Sequence, residues 1–391
     1  MVEPWLGPGA VLLHIGPRKT GTSALQSAQA AVIPELLDAG VTYPVDGRHR
    51  RAAKAVLGRI RWGGDVPDDS FWEALVAEVR SRPDRAVVSN EIFASATAEQ
   101  ADRIVADLGQ QETSVLMTLR PLEKMLPSLW QQAIKRGRTL TLEAWLERAL
   151  DEAAADRFRH LNRYDQLAMR WADIVGVDRV AVLVADSSRP DALFRDYESL
   201  VGIPQGLLKP ERVNRSLTLP EAEVIRAFNQ RNDLVDSDPG LFQRWFRTGA
   251  FRALVENRTP PADEPKVRLP PWALARAREI QAEITAGIRE GGVAIFGDPT
   301  TLTGQASVSD AAAPAEATTE AATTIATELL VGLLDSAQVT RAELAAEVVK
   351  VKRQRNKARA NARRRKRPDT QENRRSLSSI KAGVRRRLPG A

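Results

Sequence analysis

The chain has 391 residues, 43% of them apolar, enough for one large domain or two ordinary ones. It has no cysteine and only three histidines (His14, His49 and His160). This excludes disulfides and thiolate chemistry and argues against a histidine-rich metal centre. The net charge of +7 is unevenly placed: from Lys350 onward seventeen Lys and Arg face only Asp369 and Glu372, so the tail carries +15 and Met1–Val349 carries −8.

In chain order, the apolar run from Ala10 to Ile15 comes first and reads as a buried strand, Val11–Ile15. It feeds a loop, Gly16-Pro17-Arg18-Lys19-Thr20-Gly21-Thr22-Ser23, rich in glycine and hydroxyls. An amphipathic helix follows, with Leu25, Ala28 and Val32 on one face. A strand, a tight loop and a helix N-terminus together make an anion site. Backbone N–H groups converge, the helix dipole adds partial positive charge, and a lysine adds a whole one. A phosphate-like ligand is therefore expected. In the nucleotide triphosphatase loop the lysine follows the second glycine, as G-x-x-x-x-G-K-[ST]. Here Lys19 precedes Gly21.

The order I-G-x-x-K-T-G-T-S-x-L-Q, Ile15 to Gln26, resembles the 5′-phosphosulfate loop of sulfotransferases that use 3′-phosphoadenosine 5′-phosphosulfate (PAPS), especially the bacterial carbohydrate-type group. The resemblance implies that Arg18, Lys19, Thr20, Gly21, Thr22 and Ser23 hold the donor. It also makes Lys19 catalytic at the leaving phosphate, with PAPS as co-substrate and no metal.

Further short apolar runs, Ala86–Ser89, Ser114–Leu119 and Val180–Val184, read as buried strands. Helical patterns lie between them at Asp69–Ser81, Thr97–Leu108 and Tyr164–Val175. The alternation predicts an α/β fold with a central, mostly parallel sheet and ligands at the strands' carboxyl ends. The resemblance implies a P-loop-type three-layer α/β/α version of it.

The run Ala86 to Asn90 ends in Glu91, which is thereby placed at a strand end beside the first loop. A carboxylate there is also an ordinary helix N-terminal charge. The resemblance implies that Glu91 is the catalytic base, with Ser89 completing an S-x-E step. His14, the rival titratable group, reads as an internal hydrogen-bonding residue. The third strand stops at Arg120-Pro121, and an amphipathic helix carries Ser128 on its polar face with Lys124, Gln131 and Lys135. Guanidinium plus hydroxyl is a sensible clamp for a phosphate dianion. The resemblance implies that Arg120 and Ser128 bind the 3′-phosphate, and the stretch from Ser128 to Gly137 continues the likeness, as does Gly40 to Pro44. The glycine-rich R-K-G loop that covers the nucleotide in cytosolic animal sulfotransferases is not found.

From Glu211 to Phe296 the pattern is mainly helical. Val213 to Leu217 is similar to a recurring N-x-S-L step of the family. Arg215 there either touches the donor phosphate or acceptor, or the segment caps a helix through Ser216 or Thr218. Residues 1–300 are expected to form the catalytic domain and 301–324 a linker rich in Ala and Thr. Residues 325–391 are expected to form a separate, helical to disordered polybasic tail, with Ile325–Leu334 a short apolar helix continued by Leu344, Val348 and Val351.

Arg363–Arg367 and Arg385–Arg387 read as a solvated tail or as peripheral contacts to an anionic membrane surface. Nucleic acid is disfavoured because no aromatics are interleaved. No apolar run is long enough to span a membrane and no signal peptide is evident. A cytoplasmic enzyme is expected, acting on a carbohydrate or glycolipid hydroxyl and peripheral at the inner membrane face. The competing expectations are a P-loop small-molecule kinase, which the loop spacing opposes, and a non-catalytic nucleotide-binding protein.

Overall fold

A computed structural model of the chain describes residues 5–44, 48–58, 68–81, 84–151, 163–186, 189, 191–210, 215–231, 233–303 and 319–365. Six strands form its sheet: β1 (Val11–His14), β2 (Val41–Thr42), β3 (Arg85–Ser89), β4 (Thr113–Leu119), β5 (Val180–Val184) and β6 (Ala294–Phe296). Their order is β2-β3-β1-β4-β5-β6, and every neighbouring pair runs parallel. The expected strands are all present. Sequence patterning missed only the short strands at the two edges, β2 and β6.

The sheet is covered on both faces, which is why its strands read as unbroken apolar runs. Val11, Leu13, Ala86, Val88, Val115, Met117, Val180 and Val182 point to one side. There they pack on the helices Arg48–Val56, Ser70–Arg80, Ala98–Leu108, Leu122–Ile134, Tyr164–Val175 and Pro271–Glu290. Leu12, Val87, Leu116, Ala181 and Leu183 alternate to the other side. They meet the helices Thr22–Ala30, Ile33–Asp38 and Ala192–Val201. The result is a three-layer α/β/α fold. The chain leaves β1 toward β2 and leaves β4 toward β5, so the tips of β1 and β4 flank a topological switch point.

A third apolar cluster lies beyond the sheet. Trp130 and Ile134 meet Leu217, Ile225, Phe242, Phe246, Leu254, Ile325 and Leu329. Phe242–Ala250 is a π-helix, and it packs against one long helix, Thr319–Arg365. The expected separation of residues 325–334 into their own module is therefore corrected: Ile325 and Leu329 are buried in the body's core. Residues 319–324, expected as linker, already belong to the helix, while 304–318 and 366–391, including Arg385–Arg387, lie outside the described residues. Val348 and Val351 continue the helix with exposed side chains.

The long helix docks at backbone contact distance. A Cβ added to Gly332 would lie 2.6 Å from Ala253 Cβ and 2.8 Å from Ala250 Cα. One added to Gly249 would lie 2.0 Å from Ser336 Oγ. Gly332→Val is therefore expected to cost about 1–3 kcal/mol through overpacking. A lowered denaturation midpoint, with earlier proteolysis within the long helix, is the readout; an unchanged midpoint would contradict the docking.

Candidate active site

The loop after β1 leads into an uncapped helix N-terminus. The helix Thr22–Ala30 begins on Gly21, which is left-handed (φ 108°). No side chain caps this helix N-terminus, and its first turn carries no acid. Among the described residues no protein group accepts from the N–H groups of Lys19, Thr20, Gly21, Thr22 or Ser23. Free N–H groups at a helix start, with the dipole behind them, suit a phosphate or sulfate. Lys19 itself has φ 69°, and it is the one non-glycine in the left-handed region among the described residues. That conformation costs roughly 1–2 kcal/mol, and such strain concentrates at functional positions.

The hydroxyls of Thr20 and Thr22 are buried and turned inward. Thr20 Oγ1 donates to the Pro17 carbonyl at 2.6 Å and lies 2.8 Å from Thr118 Oγ1. Thr22 Oγ1 reaches the same carbonyl at 3.3 Å. Their hydroxyls are thus engaged within the protein, while their backbone amides have no acceptor among the described residues.

Below the loop a single chain of hydrogen bonds fixes its floor. Gln26 Nε2 donates to Ser89 Oγ (3.2 Å), Ser89 Oγ to His14 Nδ1 (2.9 Å), and His14 Nε2 to Thr118 Oγ1 (3.3 Å). Thr118 then donates to Thr20 and Thr20 to Pro17. This assignment satisfies every member with His14 neutral. Burial drives the His14 pKa from 6.5 down to about 3, in agreement. His14 is thus the internal hydrogen-bonding residue that its strand position suggests. Thr118, the hub of the chain, carries no motif signal in the sequence.

The linkage has a definite sign. In the unfolded chain His14 takes up a proton near pH 6.5, whereas the folded chain resists until about pH 3. Its contribution is fully present above 6.5 and is lost as pH falls through that window. From pH 7 to pH 5 the stability advantage of wild type over His14→Gln should shrink by roughly 2 kcal/mol. Urea midpoints at the two pH values test this, and a constant difference would contradict it.

Glu91 follows β3, the neighbour of β1 on one side. Asn90 caps the short 3₁₀ turn Glu91–Ser95 by accepting from Ile92 N–H at 3.1 Å. The approach to the loop is close: a Cβ on Gly16 (φ 75°) would lie 2.9 Å from Glu91 Cβ. Only glycine allows this contact. Arg120 follows β4, the neighbour of β1 on the other side, and is half-buried. Burial pushes its pKa below the ordinary guanidinium value, and no ion-pair partner lies within 4 Å among the described residues. Ser128 stands two turns into the Leu122–Ile134 helix, half-buried, its hydroxyl donating weakly to the Lys124 carbonyl at 3.4 Å.

Lys19, Glu91 and Arg120 thus come from three adjacent strand tips. The Lys19 ammonium is pushed below the usual lysine range, first by desolvation, then by Arg136 and Arg120. Glu91 acts in the opposite direction.

The structure gives further cations near the loop, two of them, Lys135 and Arg136, in the Ser128–Gly137 stretch. Lys135 is drawn down to about 8, by burial first and then by Lys19. Arg136 is lowered to about 10, by burial and then by Arg18, Arg247 and Arg50, with Glu91 opposing. Arg50 and Arg247 lie far from the loop in sequence, so local spacing holds no trace of them. Arg215 has a different fate. It grips Glu221 with both terminal nitrogens (2.7 and 2.8 Å) and donates to the carbonyls of Ser216, Leu254 and Arg258 besides. Thr218 and Glu221 form a reciprocal cap for the helix Leu219–Arg231. Of the two readings of this segment, the capping one describes the geometry, through Thr218; Val213 and Asn214 lie outside the described residues.

No family model matches the chain, and no curated protein matches it. Among solved structures, the chain is similar to a sulfotransferase from Alicyclobacillus acidocaldarius. The identity is 17%, the match covers 57% of this chain and 92% of that one, and the TM-score is 0.39.

Proposed function

We propose that the chain is a sulfotransferase that moves a sulfuryl group from PAPS to a hydroxyl of a carbohydrate or glycolipid. One arrangement carries this reading: a strained lysine in an uncapped anion loop, with Glu91 on one adjacent strand tip and Arg120 on the other. The residues fit the donor. The free N–H groups of 19–23 and Lys19 suit the 5′ end, while Arg120 and Ser128 suit a 3′-phosphate.

Transfer is an in-line displacement whose main requirements are alignment and charge stabilisation. Glu91 takes the proton of the acceptor hydroxyl as its oxygen bonds to sulfur. Lys19 stabilises the phosphate oxygen from which sulfur departs. Incubation with labelled PAPS and a panel of hydroxyl acceptors in EDTA tests the reading; a labelled sulfate ester is the expected product. Phosphate transfer from ATP that needs Mg²⁺, without sulfate transfer, would replace it with the kinase reading.

The exposed valines 348, 349 and 351 run directly into the cations beginning at Lys350, a pattern suited to an anionic membrane surface. A truncation that tests this must spare the docked part of the long helix, so it belongs after Val349. Full-length chain should sediment with vesicles containing phosphatidylserine and the truncated chain should not. Equal partitioning would remove the membrane contact.

A further inference from the structure

We propose that His49 is a positioning residue: its ring stands in for a strand neighbour at the end of β3 and holds the backbone that leads into Glu91. The inference rests on the sulfotransferase reading above, with Glu91 as its base, and deepens it.

β3 outruns its outer neighbour. The Ala86 and Asn90 N–H groups donate toward β1, to the Ala10 and His14 carbonyls, both at 3.0 Å. Strand alternation therefore turns the Ser89 N–H the other way, toward the β2 side. β2 ends at Thr42, opposite Ala86, and so stops short of Ser89. Ser89 is fully buried, and a buried N–H needs an acceptor. His49 Nδ1 supplies it at 3.1 Å.

The ring is fixed for that task. His49 is itself buried and stacks on Tyr43, the residue after β2, with ring centroids 4.6 Å apart. Its Nε2 donates to the Pro44 carbonyl at 2.7 Å. A carbonyl only accepts and an amide N–H only donates, so the proton belongs on Nε2 and the lone pair on Nδ1. The helix that carries the ring, Arg48–Val56, is anchored in turn. Ala52, Ala53 and Val56 are core residues, and the Leu57 carbonyl just beyond accepts from Gln100 Nε2 at 3.2 Å.

Three elements thus converge on Ser89. Its N–H goes to His49, its Oγ to His14 Nδ1 (2.9 Å), and its carbonyl accepts from Gln26 Nε2 (2.9 Å). His14 lies on β1 and Gln26 on the helix Thr22–Ala30, so both tie Ser89 to the donor loop's own elements. His49 holds it from the opposite edge. Glu91 follows two residues later, against Gly16. Removing the His49 bond frees the outer edge of this strand end, and the base with it, while the donor loop keeps its contacts. A misplacement of about 1 Å costs up to about 10² in rate.

Two substitutions separate the bond from the packing. In His49→Asn the amide oxygen takes the place of Nδ1 and accepts from Ser89. In His49→Gln the longer side chain brings its amide to the place of Nε2, where it serves Pro44 and leaves Ser89 without its acceptor. Both lose the ring stacked on Tyr43, so lost packing affects them alike. With labelled PAPS and an acceptor that wild type sulfates, His49→Gln should lower kcat about 10- to 100-fold. Its affinity for 3′-phosphoadenosine 5′-phosphate, by calorimetry, should stay within about twofold, and His49→Asn should restore kcat to within about threefold of wild type. Hydrogen exchange of the Ser89 amide should be at least about tenfold faster in His49→Gln than in wild type or His49→Asn. Equal losses in the two variants, wild-type turnover in His49→Gln, or a parallel loss of turnover and nucleotide affinity would overturn the role. So would rapid exchange of the Ser89 amide in wild type, whether or not the variants fold. No sulfate transfer by wild type, with that amide protected, would instead overturn the parent reading.

Discussion

Lys19→Ala is expected to lower transfer by about 10²–10³ and to weaken nucleotide binding by at least about tenfold. The charge it removes lies at the centre of the site, against amides that have no other acceptor among the described residues. Arg120 and Arg136 cannot substitute, because they approach from other elements and already repel Lys19. The variant also permits a separation of charge from strain. Alanine at φ 69° is about as strained as lysine, whereas glycine is not. Lys19→Gly should therefore be as inactive as Lys19→Ala yet more stable, by about 1 kcal/mol. Matched kinetics and denaturation midpoints decide it. An active Lys19→Ala enzyme would contradict the role of the loop, and equal stability of the two variants would contradict the strain.

Glu91→Gln should lower turnover by about 10²–10⁴ while nucleotide affinity stays within about twofold. The amide keeps the shape that packs against Gly16 but cannot take a proton. The split between turnover and binding is the diagnostic part. A structural role for Glu91, holding the loop in place, would move both quantities together. Turnover equal to wild type would transfer the base role to another group.

The framework of the fold could be read from the residues because both faces of the sheet are covered. β1, β3, β4 and β5 are continuous apolar runs, and a short turn-bounded run of that kind has few other uses. β2 and β6 are two and three residues long, and β6 is only half-buried, so neither produces a pattern. The π-helix escaped for another reason: its sequence differs little from that of an ordinary amphipathic helix.

The site divides in the same way. Gly16 through Ser23 is local, and a glycine, a lysine and a helix start in eight residues announce their chemistry. The positions of Glu91 and Arg120 can be placed from the sequence because they follow strands. Thr118 comes to the loop through tertiary packing alone. The inward turn of Thr20 and Thr22 depends on a hydroxyl ninety-eight residues from Thr20, which no spacing rule reaches. The start of the tail is ambiguous in the sequence where the helix meets the core. Ile325 and Leu329 look like a short apolar helix until Trp130, Phe242 and Phe246 surround them.

The central claim is that two anion sites on neighbouring strand tips hold the two ends of one nucleotide. Titration calorimetry with 3′-phosphoadenosine 5′-phosphate, run beside adenosine 5′-phosphate, tests it most directly. The doubly phosphorylated nucleotide should bind at least about tenfold more tightly in wild type, and Arg120→Ala should erase the difference. Indistinguishable affinities for the two nucleotides, or no heat with either, would contradict it.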